Sequence, residues 1–155
     1  MSEWNRKTVE VSFDGLSPAL VTAIKAHVEL YNLGSILSDP LMCIQTNSEK
    51  TKKGLFGRSE KVSQGIVVTP RWLIWAVQGG DEQAVVLSAK LSDVVVQDYA
   101  RTQFAKMAPD SGIQINGRFT DVSENASAFI GLDDGAAAEK FKEMVIEAAQ
   151  DAKGR

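Results

Sequence analysis

A change of hydrophobic period near residue 135 constrains this chain more than any other feature of its sequence. Ile113, Ile115, Gly117 and Phe119 alternate with Gln114, Asn116 and Arg118. That is period two, the pattern of a strand with one buried and one wet face. From Ala136 onward, Phe141, Met144, Val145, Ala148 and Ala149 recur at helical spacing, with Lys140, Lys142, Glu143 and Glu147 between them. A helix striped in this way buries its apolar side against another element, and the large partner upstream is β structure. The pattern predicts a mainly β protein closed by a C-terminal helix.

Upstream, seven segments read as strands: 41–47, 62–69, 72–78, 83–88, 91–98, 113–119 and 126–132. Turn chemistry separates them. Thr69–Pro70–Arg71 parts two apolar runs, since proline cannot donate to a central ladder. Gly79–Gly80 suits a tight hairpin tip. Residues 99–112 form the longest connection, with a brief helical turn expected around Phe104 and Met107. Consecutive short strands with such turns favour an antiparallel sheet. Asp133 or Asp134 is placed to cap the final helix.

The N-terminal part differs. Thr8–Phe13 alternates Val9, Val11 and Phe13 as a short strand would. Ser17 at an N-cap, Pro18 at the first helical position, and Leu16 with Val21 as a staple then open a helix over about 17–33. Its stripe is Leu20, Ile24, Val28 and Tyr31, and Gly34 is the expected stop. Residues 1–40 therefore form an extension whose helix packs on the β body of residues 41–155, the whole making one compact domain.

The 155 residues carry a net charge of −3, which argues against a general nucleic-acid binder. Residues 49–61 run against this balance. Lys50, Lys52, Lys53, Arg58 and Lys61 face only Glu49 and Glu60, a local +3. The opening MSEWNRK lacks the apolar core of a secretory signal, and the longest apolar run, Trp72–Val77, is far too short to span a membrane. The single cysteine, Cys43, forms no internal disulfide. These features predict a cytoplasmic protein, with peripheral membrane contact as an option.

Seven antiparallel strands followed by one amphipathic helix is the order of elements in the pleckstrin-homology-like fold. The segments GIVVTPRWLIWAV (65–77) and LSAKLSDVVVQDY (87–99) resemble a strand hairpin and its continuation in bacterial PH-like and GRAM-like domains. GIQING (112–117) and AFIGLDDGAAAEKFKEMVIEA (128–148) resemble their last two strands and closing helix. The resemblance covers about residues 41–150. It implies a small, partly open antiparallel barrel of about seven strands capped by the C-terminal helix. It departs from eukaryotic PH domains in carrying Phe141, not a tryptophan, in the closing helix. The fold does not dictate a ligand.

The basic segment is the sharpest candidate site. In PH domains the first hairpin loop often holds phosphates on basic residues, and Lys50, Lys52, Lys53, Arg58 and Lys61 match that placement in kind. Arg58 can grip a phosphate bidentately. Leu55 and Phe56, at the tip, suit contact with a membrane interface or a partner's pocket. Each cation brought to an anionic surface adds about 1 kcal/mol. The competing reading is a solvated hairpin with those two side chains folded back on the body.

Elsewhere the residues read as structural. Trp72 and Trp75 lie at opposite parity, so one faces the core and the other lies outside, under the N-terminal helix or in an oligomer contact. His27 has no second histidine or cysteine within helical reach, which disfavours a metal. Cys43 reads as a packing residue. Asp93, Asp98, Asp110, Asp121 and Glu124 fall in turns, where Asp serves the backbone. No phosphate-binding, dinucleotide, nucleophile-elbow or HExxH motif occurs.

Three functions follow. The first is a non-catalytic module that binds a protein partner at a sheet edge or beside the closing helix, with no cofactor and with homo-oligomers permitted. The second is a peripheral binder of anionic lipid headgroups through residues 50–61. The third is a small enzyme or small-ligand carrier, which the missing catalytic constellation disfavours.

Overall fold

A computed structural model describes residues 4–51 and 59–154 of the chain. Lys52, Lys53, Leu55, Phe56 and Arg58 of the basic segment lie outside the described residues. Among those described, eight strands and two long helices form three layers. In chain order they are β1 (Asn5–Glu10), α1 (Pro18–Leu30), β2 (Met42–Thr51), β3 (Ser59–Val68), β4 (Trp72–Gly79), β5 (Val85–Lys90), β6 (Val94–Asp98), the single turn α2 (Phe104–Met107), β7 (Gly112–Gly117), β8 (Ala126–Gly131) and α3 (Ala136–Lys153). All pairing is antiparallel. One sheet runs β1-β2-β3-β4-β5 and the other β6-β7-β8. The mainly β reading with a helix at each end is correct.

The two sheets are not closed into a barrel. At one seam, Thr120 N–H donates to the Ser88 carbonyl (2.8 Å) and Arg118 N–H to the Asp93 carbonyl (3.2 Å). At the other, side chains do the joining. Thr8 N–H donates to Asp133 Oδ2 at 2.7 Å, Asp133 N–H donates to Thr8 Oγ1 at 3.1 Å, and the Arg6 guanidinium pairs with Asp110.

The five-stranded sheet is covered on both faces. Ile44, Ile66, Leu73 and Trp75 point inward, toward the second sheet and α3. There Phe141 and Val145 of α3 are fully buried, and Trp75 meets Phe119 edge-on at 5.4 Å. Cys43, Val67, Ile74 and Ala76 point outward, under Leu20 and Ile24 of α1. Trp72 is half-buried on that outer side, as parity requires, with the Lys90 ammonium 5.9 Å from its ring centre. Burial on both faces explains the continuous apolar runs Met42–Ile44, Ile66–Val68 and Trp72–Val77 in the covered parts of β2, β3 and β4.

Four local details differ from the sequence reading. β1 covers Asn5–Glu10 and turns Thr8 inward, onto Thr46, while Val9 is left 39% exposed. As an edge strand, β1 is held by the polar tie to Asp133, and its inward position is polar to match. Asn32, not Gly34, terminates α1. It takes the left-handed conformation (φ 54°), with Leu33 N–H donating to the Val28 carbonyl and Asn32 N–H to the Glu29 carbonyl, a Schellman arrangement. Asp133 does not cap α3, whose N-cap is Gly135; its carboxylate is engaged by the Thr8 and Gly135 N–H groups. The β4–β5 connection occupies five residues, 80–84, instead of a two-residue tip.

α3 is also tied by charge. Lys142 reaches Glu139 (3.0 Å) and Asp98 at the end of β6 (3.4 Å). Burial works against its ammonium, but the two carboxylates outweigh that and hold its pKa above the ordinary lysine range. Lys153 donates to the Val94 and Leu91 carbonyls, which pins the last turn of α3 onto the 91–93 corner.

Candidate functional site: the groove between α1 and β5

α1 crosses the outer face of the sheet closely because Gly65 lies beneath it. A Cβ there would come within 3.1–3.3 Å of the Leu16 and Leu20 methyls. The helix leaves the β5 edge of the sheet uncovered, and a groove of about 650 Å³ runs between them. Ala23, Ala26 and Leu30 of α1 form one wall, with Leu30 71% exposed. Ala84 and Val86 form the other. Asp81 and Glu82 sit at the rim, and no lining residue is cationic.

The main-chain groups of β5 alternate in direction. Thr120 approaches the Ser88 carbonyl from outside the sheet. The N–H and C=O of Ser88 therefore point away from β4, and so, two residues back, do those of Val86. The Ser88 position is covered by Thr120; the Val86 position opens on the groove.

At the floor lies a polar chain. His27 is buried at helical spacing from Leu20 and Ile24. Its Nε2 is 2.8 Å from Ser88 Oγ, and Ser88 Oγ donates to Thr120 Oγ1 at 2.7 Å. The Tyr31 ring lies 4.8 Å from the imidazole, and its hydroxyl donates to Asp121 Oδ2 at 3.2 Å. A histidine beside a serine is the geometry of a nucleophile and its base. Here the protonation runs the other way. The single Ser88 proton goes to Thr120, so His27 Nε2–H must donate to Ser88. Ser88 is fully buried, and Asp121 engages Tyr31 and not His27 Nδ1. The chain pins α1 to β5, with Ser88 Oγ held between His27 and Thr120. Burial also lowers the His27 pKa, which keeps the ring neutral at pH 7. The Asp121 hydrogen bond, with burial, raises that of Tyr31.

The remaining sequence candidates are dispersed. Lys50 stands opposite Glu60 across the β2–β3 ladder, its ammonium 5.8 Å from the Trp4 ring centre, and Lys61 stands opposite Glu49. Cys43 is buried under α1, and burial pushes its thiol up to about 12, far from a thiolate at neutral pH. Among the described residues no group of three or more metal-ligating side chains forms, and no helix is long and apolar enough to cross a membrane. The sequence reading gives the stripe to Val28 and treats His27 only as a poor metal ligand; the spacing of His27 from Ile24 and Tyr31 is the signal that could have placed it here. Ser88 and Thr120 carry no signal of their own, because α1 docking alone brings them to it.

Comparison with protein-family models, with curated proteins and with solved structures finds no match to this chain.

Proposed function

We propose that this chain is a non-catalytic binding module that takes an extended segment of a protein partner along the β5 edge. The observation that carries the reading is the outward-pointing main chain of Val86 in a groove walled by α1. An added strand gains main-chain hydrogen bonds there, and alternate side chains drop against Ala26 and Ala84. Asp81 and Glu82 at the rim favour a partner segment that mixes basic with small apolar residues. The order of β2–β8 followed by α3, split four strands and three, supports a PH-like scaffold for this role, with β1 and α1 added in front. A cytoplasmic location fits the lone buried thiol.

The test is amide chemical-shift mapping with heptapeptides that alternate Lys or Arg with Val or Thr. Shifts centred on Val86 and on Ala26 of α1, lost in Val86→Pro and in Ala26→Trp, are expected. Proline at Val86 removes an outward N–H without breaking the ladder to β4. Equal shifts from an Asp/Glu panel, or shifts confined to another face, would refute the groove.

A further inference from the structure

We propose that the β6–β7 connection is a second contact surface, one that takes an anionic lipid interface. It belongs to a different part of the molecule from the groove. The connection docks on β1 through Asp110 and Arg6, and β1 is the edge of the five-stranded sheet opposite β5.

The connection is tightly held at its base. Tyr99 is buried, its ring 4.7 Å from Phe129, and its hydroxyl donates to the Ala108 carbonyl at 2.6 Å. Thr102 Oγ1 donates to the Tyr99 carbonyl at 2.7 Å, and Ser111 Oγ donates to the Leu132 carbonyl at 2.6 Å. On this clamped base, α2 projects Phe104 and Met107, which are 66% and 88% exposed. They stand three residues apart, on one side of the turn. A single exposed apolar side chain is ordinary. Two large ones, side by side at the tip of an anchored excursion, keep apolar area in water that a looser loop would fold away.

Charge selects the occupant. The connection carries Arg101 and Lys106 beside α2; its one carboxylate, Asp110, is paired with Arg6, and Asp98 at the end of β6 is paired with Lys142. Both cations are exposed. A convex tip of two apolar groups flanked by cations fits a soft planar surface: the side chains enter the acyl boundary while the cations meet headgroup phosphates and carboxylates. Trp4, which borders the same hollow as Pro109 and Asp110, extends that end of the molecule toward Lys50.

The experiment is co-sedimentation of the full chain with phosphatidylcholine vesicles, with and without about 30% phosphatidylserine. Recovery with the anionic vesicles alone is expected, falling as salt rises. Phe104→Ser with Met107→Ser should cut the bound fraction about tenfold, and Arg101→Glu with Lys106→Glu should abolish it. Because these side chains are exposed, the variants should keep the parent melting temperature. As a second readout, Phe104→Trp should be quenched by brominated lipid in anionic vesicles only. Equal recovery with both vesicles, or no recovery with either, would overturn the proposal. So would loss of binding in Lys52→Glu/Lys53→Glu/Arg58→Glu alone with Phe104→Ser/Met107→Ser unaffected, which would place the contact on the basic hairpin. A shift at α2 with a peptide panel but no quenching by lipid would assign the surface to a protein instead.

Discussion

The inner and outer faces of the five-stranded sheet are both buried, but by different means. Inside, twenty buried residues among those described, from both sheets, α3 and their connections, make a continuous apolar core. Outside, Leu16, Leu20 and Ile24 meet the buried Cys43, Val67, Ile74 and Ala76 of the sheet, and the helix is completed by polar ties: His27 to Ser88, and Ser17 to Gln45, whose side-chain amide both accepts from and donates to it at 2.8 Å. The inner contact is shape and area. It is sensitive to changes of volume, and its charged ties, Lys142 to Asp98 and Glu139, lie at its margin. The outer contact is smaller and partly directional, so it fixes where α1 sits yet depends on the protonation of one ring.

Substitutions can sharpen or break this contrast. Phe141→Ala empties the centre of the inner core and should cost about 3–5 kcal/mol, read from the denaturant midpoint at constant slope. Ile24→Ala on the outer face should cost about 2–4 kcal/mol. If the contrast is right, that loss is partly local, with α1 amides losing protection before the sheet does. A loss as global as that of Phe141→Ala would break the comparison. Asp133→Ala should cost about 2 kcal/mol by leaving the Thr8 and Gly135 N–H groups without their carboxylate. Its effect should appear as faster amide exchange along β1, with α1 unchanged.

The sequence carried the layers better than their joints. α3 was legible because five apolar residues at helical spacing have one way to be buried. α1 was legible from Pro18 and the 20–24–28–31 spacing, although the structure buries His27 where that stripe has Val28. Its end was misplaced because asparagine, like glycine, enters the left-handed region at small cost. Met42–Ile44, Ile66–Val68 and Trp72–Val77 show little alternation because those stretches are covered on both faces, so the sequence could not say which side chain faces which helix. The groove was less legible still. Its walls are two elements more than fifty residues apart, and its floor depends on a serine and a threonine whose partner is set by the docking of α1. The exposed pair Phe104 and Met107 was visible only as a helical turn, since spacing within four residues does not tell burial from projection.

Native-state hydrogen exchange at two pH values tests the contrast most directly. The folded-state pKa of His27 lies below its unfolded value of about 6.5. The unfolded or undocked state therefore binds the extra proton, and the stability of α1 docking is full above about pH 6.5 and is lost as pH falls below it. The slope is at most about 1.4 kcal/mol per pH unit for one proton. Between about pH 7.5 and 5.5, amides of α1 should lose protection while those of α3 and β7 hold theirs, and His27→Gln should abolish the difference. Parallel loss of protection in α1 and α3, or an α1 that is unaffected by pH in the parent chain, would contradict it.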